Sequence, residues 1–168
     1  DLKNDIENIK WHLIEASVDS EVKAITFQQL KNKRVQPFFL WKLEFIDVFR
    51  NNNGFDIVIG NPPYVSVKGL SKELKSDLQK AYETAKGRLN LFTLFIELGY
   101  KLLNKKTTLS YIIPENIFSN YEYRHTRNFI LDNNCLSKVC RFEKRVFDAA
   151  VDTAILFLQK SNKETVSI

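Results

Sequence analysis

The chain has 168 residues, 44% of them apolar, with 13 Phe, 6 Tyr and 2 Trp and a formal net charge of +5. That length suits one domain with a real aromatic core, and so modest a positive charge tilts only slightly towards a polyanionic partner. No apolar run approaches the roughly 18 residues of a membrane span, no signal peptide is visible, and Cys135, Cys140, His12 and His125 lack metal-ligand spacing, so a cytoplasmic protein with reduced thiols is expected.

From the amino end, Leu2, Ile6, Ile9, Leu13 and Ile14, then Val22, Ile25, Phe27 and Leu30, fall at helical spacing. They predict one or two surface helices, with Trp11 and His12 packing the first. The chain opens at Asp1 inside this pattern, so a piece of a longer polypeptide is expected. Residues 1–36 read as a helical lead-in and 37–168 as the main segment, with Pro37 at the boundary. Phe38–Phe45 is a compact aromatic stretch of unassigned conformation, and Asn51-Asn52-Asn53-Gly54 is a turn. Phe55-Asp56-Ile57-Val58-Ile59-Gly60 is nearly all apolar and predicts a strand covered on both faces, as in a parallel sheet. Pro62 and Pro63 cannot donate to a ladder, so the strand stops before them.

Val65–Arg88 turns polar and lysine-rich (Lys68, Lys72, Lys75, Lys80, Lys86, Arg88), with an amphipathic patch through Leu74, Leu78 and Tyr82. It predicts a surface insertion with a short helix, a candidate loop for gripping phosphates. Asn90 is placed to cap the next helix, where Leu91, Phe95, Leu98 and Leu102 share a stripe. Thr107–Ile113 predicts a second buried strand, stopped by Pro114. Tyr121–Asn134 is helical in character, while Leu136–Phe142 and Thr153–Leu158 predict strands. Strand, helix, strand, helix, strand, strand is α/β. Arg124, Arg127, Arg141, Lys144 and Arg145 are either phosphate contacts or, by default, solvated surface. Asp148 and Asp152 read as turn and strand-edge residues.

The chemistry concentrates in Asn61-Pro62-Pro63-Tyr64, at the carboxyl end of a strand, where open α/β sheets place their ligands. An exocyclic amine on an aromatic ring is a poor nucleophile because its lone pair is delocalised. Two acceptors aimed at its hydrogens help most when they favour the tetrahedral, reacting nitrogen over the planar one. The Asn61 side-chain oxygen and the Pro62 carbonyl are adjacent acceptors on rigid backbone, and Tyr64 offers a stacking face, an interaction of about 1–3 kcal/mol per base. No strong general base is needed, since the proton leaves after transfer.

Phe55 through Val65, reading FDIVIGNPPYV, closely resembles the amino-group DNA methyltransferases that make N6-methyladenine, most of all the branch in type IIG restriction–modification polypeptides. The similarity continues through Gly87–Phe92 with Phe95 and Glu97, Leu109–Pro114 with Ile117 and Phe118, and Val146–Thr153. The resemblance implies the second half of a Rossmann-like methyltransferase sheet, mixed, with helices on its faces. It implies that Asn61 and Pro62 accept from the adenine amine and that Tyr64 and Phe147 hold the flipped base. Phe95 and Pro63 are implied beside the cofactor, S-adenosylmethionine, and double-stranded DNA is the implied partner.

The family's cofactor site begins with a glycine-rich turn, yet the chain has 5 glycines and no G-x-G. The amino-terminal cofactor half and the DNA-recognition domain of the same polypeptide are therefore expected to be missing, and this piece to be inactive alone. Methyl transfer to a glutamine amide or to RNA, and a non-catalytic module that binds DNA or a partner, are the alternatives.

Overall fold

The computed structural model describes residues 2–15, 39–67, 69–133, 135–143 and 151–160, which fall in two compact units, Asp1–Ile46 and Asp47–Ile168. In the first, α1 (Leu2–Glu15) buries Trp11 while His12 stays exposed. Lys10 pairs with the Glu44 carboxylate of α2 (Trp41–Glu44). The aromatic stretch forms a cluster: Phe39 meets Trp41 edge-on at 4.7 Å, and Trp41 stacks on Phe45 at 6.0 Å. The stripe Val22–Leu30 and the boundary at Pro37 lie outside the described residues.

From Asp47 on, in the second unit, α3 (Ile46–Asn52) ends in a turn at Asn53 and Gly54, and β1 (Phe55–Gly60) follows with the predicted bounds. The insertion contains α4 (Lys72–Ala81), whose N-cap Ser71 accepts from Leu74 N at 3.2 Å. Then come α5 (Leu91–Leu102), β2 (Leu103–Pro114), α6 (Arg124–Asp132), β3 (Leu136–Arg141) and β4 (Thr153–Gln159). The strands form one mixed sheet in the order β1-β2-β4-β3. β1 runs parallel to β2, and β4 is antiparallel to both neighbours. The mixed α/β sheet expected from the sequence is present.

Strand alternation decides which side is core. Leu109, Tyr111 and Ile113 of β2 face the same way as their register partners Leu158, Leu156 and Ala154 of β4, and all six are buried. Phe92, Ile96 and Tyr100 of α5 and Phe129 and Ile130 of α6 close over them. Each such side chain contributes about 1.5–3 kcal/mol by burial. Gly99 permits the close approach: a Cβ there would lie 2.5 Å from the Tyr111 hydroxyl and 2.6 Å from Leu109 Cδ1. At the far end of α5, Lys160 Nζ donates to the carbonyls of Leu103 (2.6 Å) and Lys101 (3.3 Å), groups a helix end leaves open.

Three expectations change. β1 is not covered on both faces: it pairs only with β2 among the described residues, and Ile57 and Ile59 are 70% and 77% exposed. An apolar run reports affinity for cover, and no described element covers this edge. On α5 the core stripe is Phe92, Ile96 and Tyr100, while Phe95 is exposed. The helix is apolar almost all round, so period alone could not choose its inner face. Finally, β2 begins at Leu103, ahead of the predicted Thr107, because Leu103 already pairs with Phe55; the unbroken rungs start at Thr108, beyond the bend at Lys106 (φ 63°).

Candidate active site

Gly60 makes the last rung of the β1–β2 ladder, opposite Tyr111, and the chain then turns off the sheet. Asn61 and Pro63 are exposed, Pro62 is buried and Tyr64 is half-buried. Burial of the first proline ring fixes the backbone that presents the amide. Among the described residues nothing hydrogen-bonds to the Asn61 carboxamide, and no N–H claims the Pro62 carbonyl. Two acceptors therefore stand unused side by side at the carboxyl end of a strand.

Tyr64 is held firmly. Its hydroxyl donates to the Ile112 carbonyl at 2.9 Å, and its ring meets Phe92 edge-on at 6.2 Å and 84°. Burial pushes the phenol pKa up, so the hydroxyl keeps the proton it donates. Just downstream, Leu91 N donates to Val65 O (3.0 Å), Val67 N to Leu89 O (3.1 Å), and Ser66 and Asn90 form an antiparallel bridge. As predicted, Asn90 caps α5, accepting from Phe92 N at 3.4 Å. The motif thus hangs between a parallel ladder on one side and the first turn of α5 on the other.

Sequence reasoning missed three supports. The Ile112 carbonyl is main chain and leaves no trace in a motif, and Phe92 was one aromatic residue among several. Glu97 carried a signal, a carboxylate inside an apolar helix. It is fully buried; Oε2 accepts from Thr84 N at 2.9 Å, and Lys101 Nζ sits 2.6 Å from Oε1, an ion pair off the line of a hydrogen bond. Lys101 also donates to Ala81 O (3.2 Å) and lies over the Tyr82 ring. Together the two residues clamp the end of the insertion onto α5.

Of the other predicted residues, Phe95 is 38% exposed on α5, and Phe147 lies outside the described residues. The basic residues divide: Arg127 donates to the carbonyls of Ile117 (2.5 Å) and Asn120 (2.7 Å), and Arg141 pairs with Glu115, so both have structural roles. Lys144 and Arg145 lie outside the described residues. Cys135 is buried, its thiol pushed up to about 11 by that burial, and Cys140 is half-buried; neither forms a disulfide. Among the described residues no group of three or more His, Cys, Asp or Glu could hold a metal, and no helix is long and apolar enough to cross a membrane.

The fold is that of a methyltransferase. A Listeria monocytogenes protein described as a class I S-adenosylmethionine-dependent methyltransferase matches with a TM-score of 0.55 over 66% of this chain and 33% of its own, at 20% identity. Residues 1–147 match the Eco57I restriction-modification methylase family, and the chain belongs to it. The type II restriction enzyme and methyltransferase RM.Eco57I of Escherichia coli is 30% identical over 121 residues, 69% of this chain and 12% of that protein. The type II methyltransferase M.BstVI of Geobacillus stearothermophilus is 33% identical over 96 residues, 57% of this chain and 16% of that protein. The chain thus spans a small fraction of the relatives it matches, and the restriction–modification methylase kinship read from FDIVIGNPPYV is confirmed.

Proposed function

We propose that this chain is the target-base half of a DNA methyltransferase that transfers a methyl group to the N6 amine of a flipped adenine, within a restriction–modification polypeptide. The observation that carries the reading is the pair of unclaimed acceptors, the Asn61 side-chain oxygen and the Pro62 carbonyl, beside a ring pinned at its hydroxyl. They take the two amine hydrogens and favour the pyramidal nitrogen, whose freed lone pair attacks. Tyr64 stacks on the extruded base, with Phe147 on its other side, and the tether to Ile112 removes the entropy of orienting the ring. The extra proton leaves to water after transfer.

S-adenosylmethionine, when bound, supplies the electrophilic methyl group. Pro63 and Phe95 would hold it from this chain's side: each is exposed, one apolar and one aromatic, as a flat ring requires. The chain has no G-x-G turn, so the remaining contacts belong to another part of the parent. The edge of β1 left unpaired among the described residues supports a further sheet half that pairs there, and so does the small share of its relatives that the chain spans; Ile57 and Ile59 would take cover from its neighbouring elements.

The test is methyl transfer by the full-length parent to adenine-containing duplexes, read as N6-methyladenine in the digested product. Asn61→Ala should lower kcat by about a hundred- to a thousandfold, the loss of one transition-state hydrogen bond. Tyr64→Ala should raise KM more than it lowers kcat. Unchanged turnover in Asn61→Ala, or methyl recovered only on glutamine or RNA, ends the reading.

A further inference from the structure

Two and three residues beyond Tyr64, Ser66 and Val67 open a cleft of about 570 Å³ whose walls include Gly69, Lys75, Arg88 and Glu122. We propose that this cleft seats the sugar–phosphate backbone of the DNA strand next to the target base, an inference that rests on the reading above.

The charges are gathered there by the fold. Gly87 (φ +83°) brings the turn before α5 against the start of α6: a Cβ there would fall 2.9 Å from Glu122 O and 3.3 Å from His125 Cδ2. Arg88 and Arg124, distant in sequence, are thereby brought to one surface. The His125 pKa is lowered, first by burial and then by the positive charges of Arg124 and Lys86, which places two further cations around the same turn. Lys75 and Arg88 thus line the cleft with a single carboxylate, Glu122, while Lys86 and Arg124 adjoin the lining in sequence.

That carboxylate is already engaged. Arg88 Nη1 lies 2.7 Å from Glu122 Oε2, and this bond holds the Glu122 pKa below, and the Arg88 pKa above, their ordinary values. Glu122 is itself oriented, its N–H donating to Asn120 Oδ1 at 2.9 Å. The pair is exposed, so it contributes little to stability. Its effect is directional: one guanidinium nitrogen is held, and the rest of the fork is free for phosphate oxygens. Beside it the Arg124 guanidinium lies 4.3 Å over the Tyr121 ring, which is 72% exposed. Exposed rings among cations are how proteins follow a nucleic-acid strand. By contrast, Arg127 and Arg141 are committed within the protein.

The test is fluorescence anisotropy of the 168-residue chain with a labelled duplex, titrated with salt. Removing one cation should reduce the slope of log K against log salt by about one. Lys75→Ala with Arg88→Ala should therefore lower it by about two, whereas Lys105→Ala with Lys138→Ala, an equal charge loss on exposed residues elsewhere, should leave it nearer the parent value. Glu122→Gln should bind as tightly as the parent chain or more so. The same ranking is expected on a duplex of dG and dC alone, because phosphates carry no sequence. A chain that does not bind, or a cleft double variant that is folded by circular dichroism and keeps the parental slope, overturns the proposal. So does a control pair that loses as much as the cleft pair. Loss of slope with unchanged methylation in Asn61→Ala would instead leave the cleft standing and remove the adenine reading.

Discussion

Helix α5 and strand β1 are about equally apolar in sequence, and the protein treats them oppositely. Of α5, Phe92, Leu94, Ile96 and Tyr100 are buried and even Glu97 is sealed in, whereas β1 leaves Ile57 and Ile59 largely in solvent. The contrast separates what a segment can bury from what it does bury. α5 is closed because β2, β4 and α6 meet on it, and its first turn serves as the platform for the motif. β1 is fastened on one edge only, yet it delivers Asn61.

Substitutions at four positions of this chain sharpen that contrast. Ile96→Ala removes a fully buried side chain from the sealed region, and urea unfolding should show a loss of about 2–5 kcal/mol. Glu97→Ala strands the buried Thr84 N–H and should cost about 1–3 kcal/mol, with Glu97→Gln recovering much of it by keeping an acceptor. Tyr64→Phe deletes only the bond to Ile112 and should cost about 0.5–1.5 kcal/mol. Smallest of all, Ile59→Thr on the open face should stay within about 0.5 kcal/mol of the parent chain. An Ile59→Thr loss as large as that of Ile96→Ala would show that β1 is covered in solution and would abolish the distinction.

Much of this arrangement was legible in the residues. The bounds of β1 follow from an apolar run ended by prolines, and the Asn90 cap from a polar residue before a long apolar segment. The identity of the motif came from four adjacent residues whose chemistry is local. What could not be read was tertiary. Tyr64 is 48 residues from the carbonyl that holds it, and no periodicity points there. The inner face of α5 was ambiguous because nearly every face of it is apolar. Arg88, Arg124, Arg127 and Arg141 look alike as letters, and only tertiary packing separates Arg88 in the cleft and Arg124 over Tyr121 from Arg127 and Arg141, which are bound to carbonyls and a carboxylate of the segment 115–120.

The ladder between β1 and β2 is irregular at one place, between the rungs Phe55–Leu103 and Ile57–Thr108, where β2 carries more residues than β1. From Ile57 to Gly60 the rungs advance without slippage. Whatever play the parallel pair possesses is thus stored at the distal end, a full strand length from the carboxamide. Since one strand carries Asn61 and the other the anchor of Tyr64, the spacing between amide and ring is calibrated by the stretch of sheet that has no slack.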